Sequence, residues 1–134
     1  MEGKGKPKDR KKAPETLHVA CRKGNLAAVR RMLEKGQNVE EPAPENGKTP
    51  LHVAAQFGQL NVLKILLEFG AQIDALNAHK RTPLHLAAAQ GYTEVVEHLV
   101  KCGASVDIKT PDGKTPRELS QKYKYAETTK VLTP

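Results

Sequence analysis

Residues 48–58 read KTPLHVAAQFG, and residues 81–91 read RTPLHLAAAQG. The offset between them is 33 residues, and it holds beyond the two phrases. Thr49, Thr82 and Thr115 keep it, each followed by proline (Pro50, Pro83, Pro116). Gly58 matches Gly91, and Gly70 matches Gly103. A fixed period of this size marks a chain built of repeated units, each too small to bury its apolar side alone. An earlier copy, ETLHVACRKG at 15–24, lies one residue out of phase, because Leu17 precedes Leu51 by 34. The connection VEEPAPENGK at 39–48 is the expected place of the extra residue.

Each copy can be read physically. Thr49 is an N-cap residue, and Pro50 suits the first helical position, where no amide donor is needed. Leu51, Val53, Ala54 and Ala55 begin a short helix whose alanines let a neighbouring backbone come close. Gly58 ends it by accepting a left-handed conformation. A second helix is expected over LNVLKILLEF at 60–69, with Val62, Leu63, Ile65, Leu66 and Leu67 as its apolar face. Gly70 ends that one. AQIDALNAHK at 71–80 is polar and turn-rich and leads to the next Thr-Pro. Helices this short are marginal alone and gain stability only by stacking.

The recurring TPLHVAA at 49–55 and TPLHLAA at 82–88, in register at this period, resemble the ankyrin repeat. The resemblance covers about residues 14–134 and implies an all-α solenoid of helix-turn-helix units joined by finger-like β-turn connections. Four repeats are implied, roughly 14–46, 47–79, 80–112 and 113–134. The second and third are regular. The first lacks the proline and carries Arg22, Lys23, Arg30 and Arg31, as a solvent-facing cap would. In the fourth, Arg117 and Glu118 stand in place of Leu and His, and Lys124 stands in place of the helix-ending Gly. Leu119 and Leu132 keep core positions, and the chain is expected to stop within its last helix, at Pro134.

Composition fits this reading. Apolar residues make up 38% of the chain and aromatics 4%, with no Trp, so the core is built from small aliphatic side chains. The formal net charge is +7. Residues 1–12 hold six Lys/Arg against two Asp/Glu, a net of +4, and the rest holds sixteen against thirteen, a net of +3. Residues 1–13 have no large apolar side chain beyond Met1 and are expected to be a disordered basic tail. Cys21 and Cys102 lie 81 residues apart and form neither a disulfide framework nor a paired zinc motif. Reduced thiols in a cytoplasmic or nuclear protein are expected. No secretory signal is read at the N-terminus. The longest apolar run falls far short of a membrane span.

No chemistry is visible in the motifs. There is no G-x-S-x-G, H-E-x-x-H, C-x-x-C or phosphate-cradling glycine loop, so an enzyme is not expected and no cofactor is implied. His18, His52 and His85 recur along the array without partners at ligand spacing, so no metal site is expected. The resemblance implies instead that His52 and His85 bond within their own turns and to a neighbouring backbone. Cys21 stands where Ala55 and Ala88 stand and is read as a small core residue. Cys102 is a partly exposed helix-end residue.

Function must then come from surface. The resemblance implies that the concave side, made of the fingers and the exposed ends of the first helices, meets protein partners. Carried over by position, it comprises Arg22 and Lys23 in the first repeat, and Lys48, Gln56 and Phe57, with Glu45 and Asn46, in the second. The third gives His79, Arg81 and Gln90, with Ala78 and Ala89. The fourth gives Lys114, Lys122 and Tyr123, with Pro111 and Asp112. Leu76 and Lys109 stand at finger bases. Phe57 and Tyr123 are the expected anchors, because the matching places hold Lys23 and Gln90, and no core position accepts all four. Aromatic anchors rimmed by cations suggest a protein or peptide partner with acidic and apolar character, bound by a monomer. An alternative is electrostatic binding of nucleic acid or anionic lipid through the tail, though no aromatic is interleaved there for base stacking. A further alternative is a recruitment segment of a larger protein. Two departures stand out. Lys80 takes the place of Gly47 and Gly113, so the second finger is expected to turn differently. The first finger, with Pro42 and Pro44, is expected to project further or be stiffer.

Overall fold

The computed structural model describes residues 15–134; the tail expected at 1–13 lies outside the described residues. The described residues form eight helices: α1 (Leu17–Lys23), α2 (Leu26–Glu34), α3 (Pro50–Gln56), α4 (Leu60–Glu68), α5 (Pro83–Gln90), α6 (Thr93–Lys101), α7 (Pro116–Lys122) and α8 (Ala126–Leu132). They pair as successive hairpins. The first helices pack in a row in the order α1, α3, α5, α7, and the second helices in the order α2, α4, α6, α8. This is a helical solenoid. No helix among the described residues is long and apolar enough to cross a membrane.

The Thr-Pro-Leu-His phrase fixes each helix start. Thr49 is extended, and its hydroxyl accepts from His52 N at 3.3 Å, while Thr49 N donates back to His52 Nδ1 at 3.1 Å. Thr82 and His85 repeat this. In the last repeat the reciprocal bond comes from Glu118, whose Oε1 accepts from Thr115 N at 2.9 Å. Such a box satisfies two backbone donors that a helix start leaves without partners. The first repeat differs. Its N-cap is Thr16, which takes the place of Pro50, so α1 starts a residue late and His18 closes no box.

The core is the expected aliphatic one. Leu51, Leu63, Leu66, Leu84 and Leu99 are fully buried, as is Cys21. Each such leucine stabilises the stack by about 1.5–3 kcal/mol. Leu67, expected on the apolar face of α4, is only half-buried. It lies at the edge of the stripe that faces the neighbouring helices. Leu119 and Leu132 are buried in the last repeat. The last helix ends at Leu132, with Thr133 extended, so the expectation that the chain stops inside a helix is corrected.

Neighbouring repeats are joined by two rows of contacts. On the finger side, His18 and His52 donate from Nε2 to the carbonyls of Lys48 (3.0 Å) and Arg81 (2.9 Å) in the following repeat, and His85 donates to that of Ile108 (2.8 Å), near the end of its own. At the opposite end, Gln59, Tyr92 and Tyr125, each just past the end of a first helix, lie over Gly24, Gly58 and Gly91 of the repeat before. Tyr125 covers Gly91 so closely that a Cβ there would stand 2.5 Å from its ring.

Candidate functional site: the finger side of the stack

Three fingers connect the hairpins. The second closes where Asn77 N donates to Arg81 O, and the third where Thr110 N donates to Lys114 O. The first closes between Ala43 N and Lys48 O, one residue wider. The extra residue of the first connection therefore sits inside the turn. Lys80 does not change the turn of the second finger: its φ is 61°, beside 68° for Gly47 and 83° for Gly113. That expectation is corrected. The backbone keeps the glycine conformation with a lysine in it, at a cost of about 1–2 kcal/mol.

Between the first finger, α1 and α3 lies a groove of about 310 Å³. Its apolar lining comes from Val19, Ala43, Val53 and Phe57, and its polar lining from Arg22, Lys48 and Gln56 together with His18, Glu45 and Asn46. Phe57 is 44% exposed, because it caps α3 after the last buried turn. Lys48 is half-buried, and its ammonium donates to Gln56 Oε1. Desolvation holds its pKa below the usual lysine range, against the opposing pull of Glu45. An amine so placed gains from an incoming carboxylate, which replaces the hydration it has lost.

A second opening of about 640 Å³ lies between the second and third fingers, lined by Ala78, His79, Lys80, Arg81, Pro111 and Asp112. Asp112 accepts from the Thr110 hydroxyl, and this bond, aided by Arg81 and Lys114, holds its carboxyl below the ordinary range.

The sequence-derived candidates thus divide. Arg22, Lys48, Gln56 and Phe57 share the first groove, and His79 and Arg81 share the second. Leu76 is 50% exposed and belongs to neither, as do the exposed Gln90 and the half-buried Lys114. Lys23 reaches toward Glu15 at 4.0 Å. In the last repeat Tyr123 is 49% exposed, with Lys122 Nζ 5.4 Å from its ring centre, a cation–π pair at the far end of the stack. Val19 and Val53, which line the first groove, were not singled out from sequence. Helical spacing assigns them to the core, and the groove reaches them only because finger and helix stand apart.

The remaining histidines and cysteines are structural or lie away from this face. Burial pulls the pKa of His52 and His85 down, partly opposed by the carbonyls they meet. Burial pushes the Cys21 thiol up to about 12. Cys102 is exposed, with Sγ 3.4 Å from His98 Nε2. Among the described residues no group of three or more His, Cys, Asp or Glu is placed to hold a metal ion.

Comparison with known proteins agrees with this architecture. A family model described as ankyrin repeats (3 copies) matches residues 3–77, and one described as ankyrin repeats (many copies) matches residues 66–120. Among curated proteins, the chain is 38% identical over 60 residues to Delta-latroinsectotoxin-Lt1a of Latrodectus tredecimguttatus, covering 44% of this chain and 5% of the toxin. It is 37% identical over 63 residues to the ARF GTPase-activating protein Git of Drosophila melanogaster, covering 47% of this chain and 9% of that protein. It is 41% identical over 56 residues to the serine/threonine-protein kinase VIK of Arabidopsis thaliana, covering 42% and 13%. The chain therefore matches only a small part of the length of these relatives. With its period, its capped helix pairs and this family match over more than half its length, the chain belongs to the ankyrin-repeat family.

Proposed function

We propose that this chain is a non-enzymatic protein-binding module that engages its partner on the finger side of the stack, the side the family resemblance makes concave. Ankyrin repeats are in general protein–protein interaction modules. The observation that carries the finer reading is the first groove. The stacking of α1 against the first finger and α3 brings an exposed aromatic, Phe57, beside two cations, Arg22 and Lys48, with one carboxylate, Glu45, at the same groove. A rigid apolar anchor with a cationic rim suits a partner segment that is itself apolar and acidic. Because the stack is preformed, little ordering entropy opposes binding.

The short share of each relative that is matched favours a second, compatible reading, in which such a module recruits partners for a larger protein. Cytoplasmic or nuclear residence is part of the proposal.

An affinity capture with three baits tests it: the full chain, the chain lacking residues 1–12, and Phe57→Ala/Tyr123→Ala. A protein retained by the first two and lost with the third supports the finger-side reading. Each aromatic truncation should then cost about 1–3 kcal/mol of binding with an unchanged circular dichroism spectrum. Capture that depends on the tail and ignores both aromatics would overturn it in favour of electrostatic binding through residues 1–12.

A further inference from the structure

The fingers are built on one plan, and the 33-residue offset maps each onto the next. Where the first two meet, Ala78 N donates to Asn46 O at 3.0 Å. Gly47 lies so close that a Cβ on it would stand 2.9 Å from Ala78 N. The offset carries Asn46 to His79, Gly47 to Lys80 and Ala78 to Pro111. Pro111 has no N–H to give the His79 carbonyl. Lys80 carries the very Cβ for which Gly47 has no room. Two changes, one on each side of the same seam, forbid the hydrogen bond that closes the seam before it.

His85 Nε2 donates to Ile108 O at 2.8 Å and meets the Lys114 carbonyl as well, as His52 meets the carbonyls of Ala75 and Arg81, so the histidine row continues across this seam and the change is confined to the finger tips. The opening of about 640 Å³ described above lies on this seam. His79, Lys80, Pro111 and Asp112 around it are exposed, and Arg81 is half-buried. Among the described residues, Lys80 and Arg81 make no ion pair, the pairs present being Lys23–Glu15 and Arg30–Glu68. Asp112, the one carboxylate at the rim, is already engaged by Thr110.

The geometry points to a docking notch between the second and third fingers for an acidic, extended stretch of a partner protein, whose backbone N–H takes the His79 carbonyl and whose Asp or Glu side chains meet Lys80 and Arg81. The inference rests on the finger-side reading and names a second place on that surface. Among the described residues no N–H is given to the His79 carbonyl, which is exposed and open to a donor from a partner. A peptide backbone supplies such a donor and a phosphodiester backbone does not. The cations select the sign of the side chains.

The test uses the full chain, labelled for amide NMR, and three probes: a short capped peptide alternating Glu and Ala, its Gln counterpart, and a single-stranded oligonucleotide. The Glu peptide should shift the amides of Ala78 to Arg81 and of Asp112, and the Gln peptide should bind about tenfold more weakly. Lys80→Gly/Pro111→Ala restores both the room and the donor. It should protect the new amide at position 111 from exchange and weaken the Glu peptide at least about tenfold. Lys80→Ala, which removes the charge but keeps the Cβ, should weaken it only about two- to threefold. Should the double variant not fold, Pro111→Ala alone carries the comparison.

An unprotected amide at position 111 in the folded double variant would overturn the account of the open seam. No shift with the Glu peptide, or undiminished binding by a variant with that amide protected, would overturn the notch. Shifts confined to Arg22, Lys48 and Phe57 would remove the notch and leave the finger-side reading standing. Shifts confined to α4 and α6, or tighter binding of the oligonucleotide than of the Glu peptide, would remove both.

Discussion

His52 of the second repeat donates from Nε2 to the carbonyl of Arg81 in the third, at 2.9 Å, while its Nδ1 accepts from Thr49 N within its own repeat. The ring is fully buried, and its neutral Nε2–H tautomer is the form that satisfies both partners. A second proton on Nδ1 would face the Thr49 N–H. His85 is held the same way between Thr82 N and Ile108 O.

Stability should therefore depend on pH. Both histidines have folded pKa values below 6.5, chiefly because burial disfavours the cation. Below pH 6.5 the unfolded chain binds more protons than the folded one, so acid favours unfolding. The contribution is fully present above 6.5 and is lost as pH falls through the folded values. The urea midpoint should be flat from pH 8 to 7 and fall below 6.5. His52→Gln should flatten that fall and cost about 1–3 kcal/mol at pH 7.5, through the lost buried hydrogen bonds. An unaltered pH profile in His52→Gln/His85→Gln would refute this role.

Gly91 tests the opposite row of inter-repeat contacts. Its φ is 74°, and Tyr125 lies where a Cβ would go; Gly103 has φ 98° but open space around it. Both changes to alanine carry the left-handed strain, of about 1–2 kcal/mol. Gly91→Ala should lower the thermal midpoint clearly more than Gly103→Ala. Tyr125→Ala in the same chain should reduce the excess, a non-additivity read from a double-mutant cycle. Equal losses at the two glycines would show that the tyrosine yields freely.

Lys124 occupies the left-handed conformation, φ 65°, at the place where Gly58 and Gly91 stand. Lys124→Gly should stabilise the last repeat by about 0.5–1 kcal/mol, the relieved strain exceeding the added unfolded-chain entropy. The reading is a higher denaturant midpoint with an unchanged slope. In the same repeat, Glu118→Ala removes the reciprocal bond to Thr115 N and should lower the denaturant midpoint. Loss of stability in Lys124→Gly would mean that the lysine contributes more than its backbone strain costs.

The two cysteines should differ in reactivity. Cys21 is fully buried, with its thiol pushed up to about 12, and Cys102 is exposed. A thiol reagent at pH 8 should label Cys102 within the mixing time of an ordinary assay and reach Cys21 only on unfolding. Mass analysis of the labelled peptides distinguishes them. Rapid labelling of Cys21 in the native chain would show that α1 opens locally.

Much of this molecule is legible as text. Thr49, Thr82 and Thr115, each with its proline, announce three helix starts. The helix-ending glycines announce the turns, and the period announces the stack. These are local signals, since capping, left-handed turns and apolar periodicity act within a few residues. Local rules also misplace things. The first repeat has Thr16 but no proline, so its helix begins one residue late. Lys80, in a glycine's place, suggests an altered turn, yet closure of the finger between Asn77 and Arg81 holds the backbone to the glycine conformation.

The sequence alone therefore determined the fold class, the cap residues and the core, because each repeat carries its own hydrogen-bonding and burial instructions in contiguous residues. Only the tertiary structure decided which surface residues act together. Arg22 and Phe57 are 35 positions apart in sequence and meet because α1 and α3 stack. Tyr125 reaches Gly91 because α7 follows α5. The opening at Pro111 needs both sides of a seam: the absent donor is legible in the sequence, but the acceptor it leaves at His79 comes from the neighbouring finger. Contacts between repeats depend on how far one unit is displaced from the next, and that displacement is set by packing of the whole stack rather than by any single stretch of chain.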